Sequence, residues 1–116
     1  MTPILIRLQN DAQFCAPIPA GKPVGETIPM TRTALDQDVA SQNVSTGIWE
    51  CTPGSLRRQI MQAEYSYFVE GKGVFIPDNG DPIAFQAGDA IYFAPNTHGV
   101  WEITETVRKT YLILGD

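Results

Sequence analysis

From position 47 to position 114 the chain is a run of short apolar, β-branched and aromatic stretches, each cut off within a few residues by a turn signal. That rhythm constrains the fold more than any other feature, because helices need longer uninterrupted periodic runs and strands do not. Gly47-Ile48-Trp49-Glu50-Cys51 ends at Thr52-Pro53-Gly54, residues 56–63 return, and residues 64–70 follow after a bend. Gly71-Lys72-Gly73 offers two residues free to adopt positive φ. Residues 74–76 form a further strand, and Asn79-Gly80 inside 77–82 is a strong hairpin signal. Residues 83–85, 90–93, 100–103 and 107–114 complete the set. The expectation is an all-β barrel of short antiparallel strands with a filled or ligand-sized interior.

The first 46 residues differ in texture, holding Pro3, Pro17, Pro19, Pro23 and Pro29 of the nine prolines. Proline donates nothing to a ladder, so this segment is expected to be extended, with turns and edge strands. Residues 4–8 read as one short strand and residues 34–40 as a loop or a single turn. At 116 residues the chain is one domain, a Pro-rich arm over 1–46 joined to barrel motifs over 47–114. A net charge of −5 and only two adjacent basic pairs, Arg57-Arg58 and Arg108-Lys109, argue against a nucleic-acid surface. No apolar run is long enough to span a bilayer, and the start of the chain lacks the apolar region of a signal peptide, so a cytoplasmic protein is expected. Cys15 and Cys51 are 36 positions apart and match no metal or redox spacing. They read as buried free thiols, with Cys51 as a candidate catalytic thiolate if Arg57 or Arg58 lowers its pKa.

Glu64 and Gly71 stand in the pattern E-x6-G, and Gly88-Asp89 opens a second strand that runs through Phe93 to Ala94-Pro95. With GIWECTPG before them and VRKTYLIL after, these motifs resemble those of the cupins, double-stranded β-helix (jelly-roll) barrels that often hold a metal. The chain is similar to the small single-domain cupins that include (S)-ureidoglycine aminohydrolase, a manganese enzyme releasing ammonia, and ethanolamine-utilisation protein Q. The resemblance implies metal ligands, and here they are largely replaced. Where cupins carry H-x-H before the glutamate, this chain has Arg58 and Ile60 or Arg57 and Gln59, and Gly99 stands at the position of the last ligand. Glu64 alone among these positions could bind a metal, so no metal and no other cofactor is expected. The resemblance also implies a homodimer, for which residues 4–8 are a candidate seam.

An interior carboxylate must be paired or protonated. Arg58 is the expected partner of Glu64, either as a structural pair or as the anchor for a small anionic ligand that Glu64 orients or deprotonates. Trp101 shares the face of Gly99, and Trp49 shares a face with Cys51, so each is a core residue or a ligand platform. Lys109 and Tyr111 alternate along the last strand and could reach the pocket mouth. His98, the one imidazole, sits one residue off the ligand position, facing out by alternation unless its loop is irregular. Two functions stay open: a small-molecule-binding cupin without the standard metal centre, its pocket centred on Glu64 and Arg58, or an ammonia-releasing or hydrolytic enzyme acting on a small nitrogen-rich substrate.

Overall fold

The computed structural model describes residues 3–39 and 43–115, and it is all-β apart from one 3-10 turn at Asp11–Gln13. The strands are β1 (Ile18–Pro19), β2 (Pro23–Val24), β3 (Met30–Val39), β4 (Val44–Cys51), β5 (Gly54–Ile60), β6 (Ala63–Pro77), β7 (Ile83–Gln86), β8 (Ala90–Phe93) and β9 (Thr97–Leu114). They pair in the order β1-β3-β4-β9-β5-β2, with β6 along the other edge of β9 and β7 and β8 on β6. Every pairing is antiparallel. The sheet curls on itself into the double-stranded β-helix barrel of the cupins. Among the described residues no helix is long and apolar enough to cross a membrane.

The strand β9 is the spine. Its first half pairs with β5 (Arg58 opposite Gly99), its second half with β4 (Trp49 opposite Lys109), and β6 follows it almost throughout. Alternation then fixes the faces: Gly99, Trp101, Ile103, Val107, Lys109 and Tyr111 are all buried and share one side of β9. Trp101 is the centre of the packed core, with Phe75, Phe85, Phe93, Trp49 and Phe68 rings at centroid distances of 4.9 to 6.1 Å. Aromatic pairs in such edge and tilted geometries add to the area they bury. This plug fills one half of the barrel and leaves the other half hollow.

Several expected boundaries shift. Residues 64–70 and 74–76 are one strand, as are 100–103 and 107–114. Gly71 (φ +85°) does not end β6 but sits in a bulge, where the register with β9 slips between Phe68 and Gly73. The slip changes which parity faces inward, from Glu64, Ser66 and Phe68 to Gly73 and Phe75, so both halves of a 15-residue strand deliver side chains to one interior. Residues 34–39 belong to β3 rather than to a loop, with a bulge at Leu35 (φ +55°); position 40 lies outside the described residues. Residues 4–8 make no ladder within the chain, so the short strand expected there is not formed in the single protomer.

The Pro-rich arm is instead held on the outer side of the sheet. Glu50 accepts hydrogen bonds from Arg32 Nε at 2.7 Å and Arg108 Nη2 at 2.7 Å. Arg108 also donates to the Leu8 carbonyl at 3.0 Å and to Asp11. Phe14 lies under both guanidinium groups, at 4.1 and 4.8 Å.

Candidate functional site

The hollow half of the barrel holds a cavity of about 230 Å³ lined by Thr33, Asp36, Trp49, Arg58, Ile60, Glu64, Trp101, Lys109, Tyr111 and Ile113. That is below the roughly 300–1,000 Å³ of drug-sized sites, so a small ligand fits it. A larger depression of about 530 Å³ near Asp38, Ser45 and Gln62 is lined by no buried ionisable group among the described residues.

Inward-facing residues of β6 and β9 build the floor, Glu64 and Ser66 from the first and Lys109 from the second. The Lys109 ammonium donates to Glu64 Oε2 at 2.6 Å and to Ser66 Oγ at 2.9 Å, and Ser66 Oγ donates to Glu64 Oε2 at 2.9 Å. Glu64 and Lys109 are 6% and 5% exposed, so the pair is buried. Aromatic faces surround the ammonium, with Trp101 at 5.1 Å, Trp49 at 5.2 Å and Phe93 at 5.7 Å. Burial by itself would raise the Glu64 carboxyl, but the charge and hydrogen bond of Lys109, with the Ser66 hydroxyl, outweigh it and hold the carboxyl below its usual range. Burial pulls the Lys109 amine below its usual value, against the attraction of Glu64.

The wall is Tyr111, whose hydroxyl donates to Asp36 Oδ1 at 2.6 Å. Burial first, then this hydrogen bond to an anion, pushes the phenol well above its usual range. Gly47 opposite Tyr111 makes this possible, since a Cβ there would lie 2.6 Å from the Tyr111 oxygen. Arg58 stands exposed at the rim on the inward face of β5, and among the described residues it makes no ion pair.

The structure therefore brings together Glu64, Arg58, Trp49, Trp101, Lys109 and Tyr111, and separates two other candidates from them. The expected Arg58–Glu64 pair is replaced: Lys109, from the floor, takes the carboxylate, and Arg58 reaches it only as a more distant charge. Lys109 itself lies at the floor rather than at the mouth. Cys51 shares the inward face with Trp49 but is fully buried in the aromatic core, and burial, with the adjacent Glu50 charge, pushes its thiol up to about 12. This burial works against a thiolate at that position. His98 pairs with Gln59 on the outward side of the β5–β9 ladder and lines no part of the cavity. Asp36 and Ser66 were not among the candidates; the β3 bulge aims the first, and only the β6 register reveals the second.

The metal that the fold implies does not fit these residues. Ile60 and Gly99 offer no donor, Arg58 repels a cation, and the retained Glu64 already holds an ammonium. No group of three His, Cys, Asp or Glu suited to a metal occurs among the described residues.

Known proteins agree with the architecture. The structure of EutQ from Clostridium difficile superposes with a TM-score of 0.66 at 17% identity, over 75% of this chain and 69% of that one. A DUF861-family protein of unknown function from Pseudomonas syringae pv. tomato gives 0.70 at 26% identity, over 86% of this chain but only 43% of its own. Ectoine synthase from P. lautus gives 0.62 at 14% identity, over 81% of this chain and 69% of that one, a likeness of fold. No curated protein matches the sequence. The EutQ-like cupin domain matches residues 39–111, well over half of the chain, and the protein belongs to that family of cupins.

Proposed function

We propose that this cupin binds a small carboxylate-bearing molecule without a metal, with Arg58 as the anchor. One observation carries the reading: Lys109 neutralises Glu64, so Arg58 is the cation left at the cavity without an acidic partner among the described residues. A guanidinium fork matches a carboxylate in shape and charge. The half-buried Trp49 offers its face between this rim and the floor. An ammonia-releasing hydrolase of the ureidoglycine type has less support, because Arg58, Ile60 and Gly99 stand where its metal ligands would be. A cytoplasmic location agrees with the two free thiols.

Calorimetric titration with a series of small carboxylic acids and their neutral amides tests the reading. The acids should bind and the amides should not, and Arg58→Gln should weaken the best acid by about tenfold or more, as expected for a hydrogen bond to a charged group. Equal affinity for acids and amides would exclude Arg58 as the anchor. Elemental analysis showing about one transition metal per chain, lost in Glu64→Gln, would overturn the metal-independent site.

A further inference from the structure

We propose that Lys109 is a carbonyl-trapping lysine, and that the cavity takes a small 2-oxo acid as a reversible iminium on its Nζ. The inference rests on the carboxylate reading above and names the ligand class. A lysine that only balanced Glu64 would need no cavity over it, yet Lys109 lines one, with Arg58, which makes no ion pair among the described residues, in the lining of the same space. Its surroundings suit the chemistry. The amine is 5% exposed beside Trp101, Trp49 and Phe93, and this burial favours giving up a proton, against the hold that the ring faces and Glu64 keep on the ammonium. Glu64 Oε2 at 2.6 Å is placed to take that proton, and Ser66 Oγ at 2.9 Å supports the exchange.

The step balances without any oxidant or reductant. Glu64 accepts one proton from the ammonium, and the freed lone pair forms the C–N bond to the oxo carbon. A proton moves from that nitrogen to the former carbonyl oxygen, giving the carbinolamine. The Glu64 carboxyl then protonates this hydroxyl, water leaves, and the nitrogen lone pair closes the C=N bond. The product is a cationic iminium beside an ionised Glu64, so the buried charge pair present at the start is restored at the end. The acid's carboxylate meets Arg58, which distinguishes a 2-oxo acid from a simple aldehyde.

The protein carries its own controls, since Lys22 and Lys72 are the other lysines: Lys22 is exposed, and Lys72 bears a surface pair with Glu105. Native protein is incubated with pyruvate or glyoxylate and sodium cyanoborohydride, which freezes an iminium as a stable amine, and the adduct is mapped by peptide mass. The expected result is one adduct per chain, on Lys109 ahead of Lys22 and Lys72. In Arg58→Gln the labelling by pyruvate should fall by about tenfold while labelling by propanal is unchanged. Lys109→Arg, which keeps a cation against Glu64, should take no adduct.

Labelling of Lys22 or Lys72 at the rate of Lys109 in the native protein would overturn the proposal, whether or not the variants fold. Saturable pyruvate binding by calorimetry with no adduct on Lys109 would sink the covalent step and leave the anion pocket standing. Labelling of Lys109 that ignores Arg58→Gln would keep the lysine and remove the rim anchor. Neither binding nor adduct would reject both.

Discussion

Replacing Glu64 by Gln while keeping Lys109 leaves a buried ammonium facing a neutral amide. Breaking a buried pair from one side costs about 3–5 kcal/mol, because the orphaned charge keeps its dehydration penalty. The expected loss in Glu64→Gln is of that size by urea unfolding, and the double variant Glu64→Leu with Lys109→Met should recover most of it. A single-variant loss under about 1 kcal/mol would show that water screens the pair. A second expectation concerns the thiols: Cys15 is exposed and Cys51 buried. Native protein should react with a disulfide reagent at one thiol per chain, the second titrating only on unfolding. Glu64 was legible as an interior carboxylate because the E-x6-G pattern fixes its strand. Its partner was not, since alternation along a strand ranks nearby residues such as Arg58 and says nothing about a lysine 45 positions away. The register sets Glu64 opposite Ile113 and Lys109 opposite Phe68, so the pair is closed by the reach of the long lysine side chain and not by direct cross-strand position.

At the scale of elements, Gly71 is the residue that β6 cannot replace. A Cβ on it would lie 2.1 Å from the Thr106 carbonyl oxygen, at a φ of +85° that side chains rarely adopt. Gly71→Ala should destabilise by about 2 kcal/mol or more, measured by thermal or urea unfolding, and an unchanged midpoint would mean the bulge relaxes freely. The same glycine shows how far sequence reading of the elements reaches. The need for a glycine at position 71 was clear, as was the Asn79-Gly80 turn between β6 and β7, but the strand end expected at 70 was not real. A bulge and a turn, however, ask for the same residue, and only cross-strand partners tell them apart. Residues 34–39 were misread for a related reason: Asp36 and Asp38 depress β propensity, while pairing with β4 overrides it.

For the whole molecule the acid limb of stability follows from carboxylates that are held ionised. Glu64 and Glu50 are each buried, which opposes ionisation, yet Lys109 holds the first and Arg32 with Arg108 the second below the usual carboxylate range. Depressed folded-state values stabilise above the unfolded value of about 4 and lose that stability as pH falls through the folded values. Unfolding free energy should therefore be level from pH 7 to about 5 and fall steeply below about 4. A steep fall already complete at pH 6 would point to other groups. The expected homodimer is tested by light scattering, where a concentration-independent mass at the 12.7 kDa of one chain would reject it. Finally, the dipeptide Arg108-Lys109 sends its two cations to opposite faces of β9, one clamping the arm through Glu50 and the other facing Glu64. Slide β9 by one residue either way and one slot receives a cation while the other receives Val107 or Thr110. In one direction Glu64 is stranded opposite Thr110, and in the other Glu50 loses Arg108 and keeps only Arg32. The two pairs thus act together as a vernier, admitting one alignment of the longest strand and penalising both neighbours, so that mispaired folding intermediates are poor competitors of the native ladder.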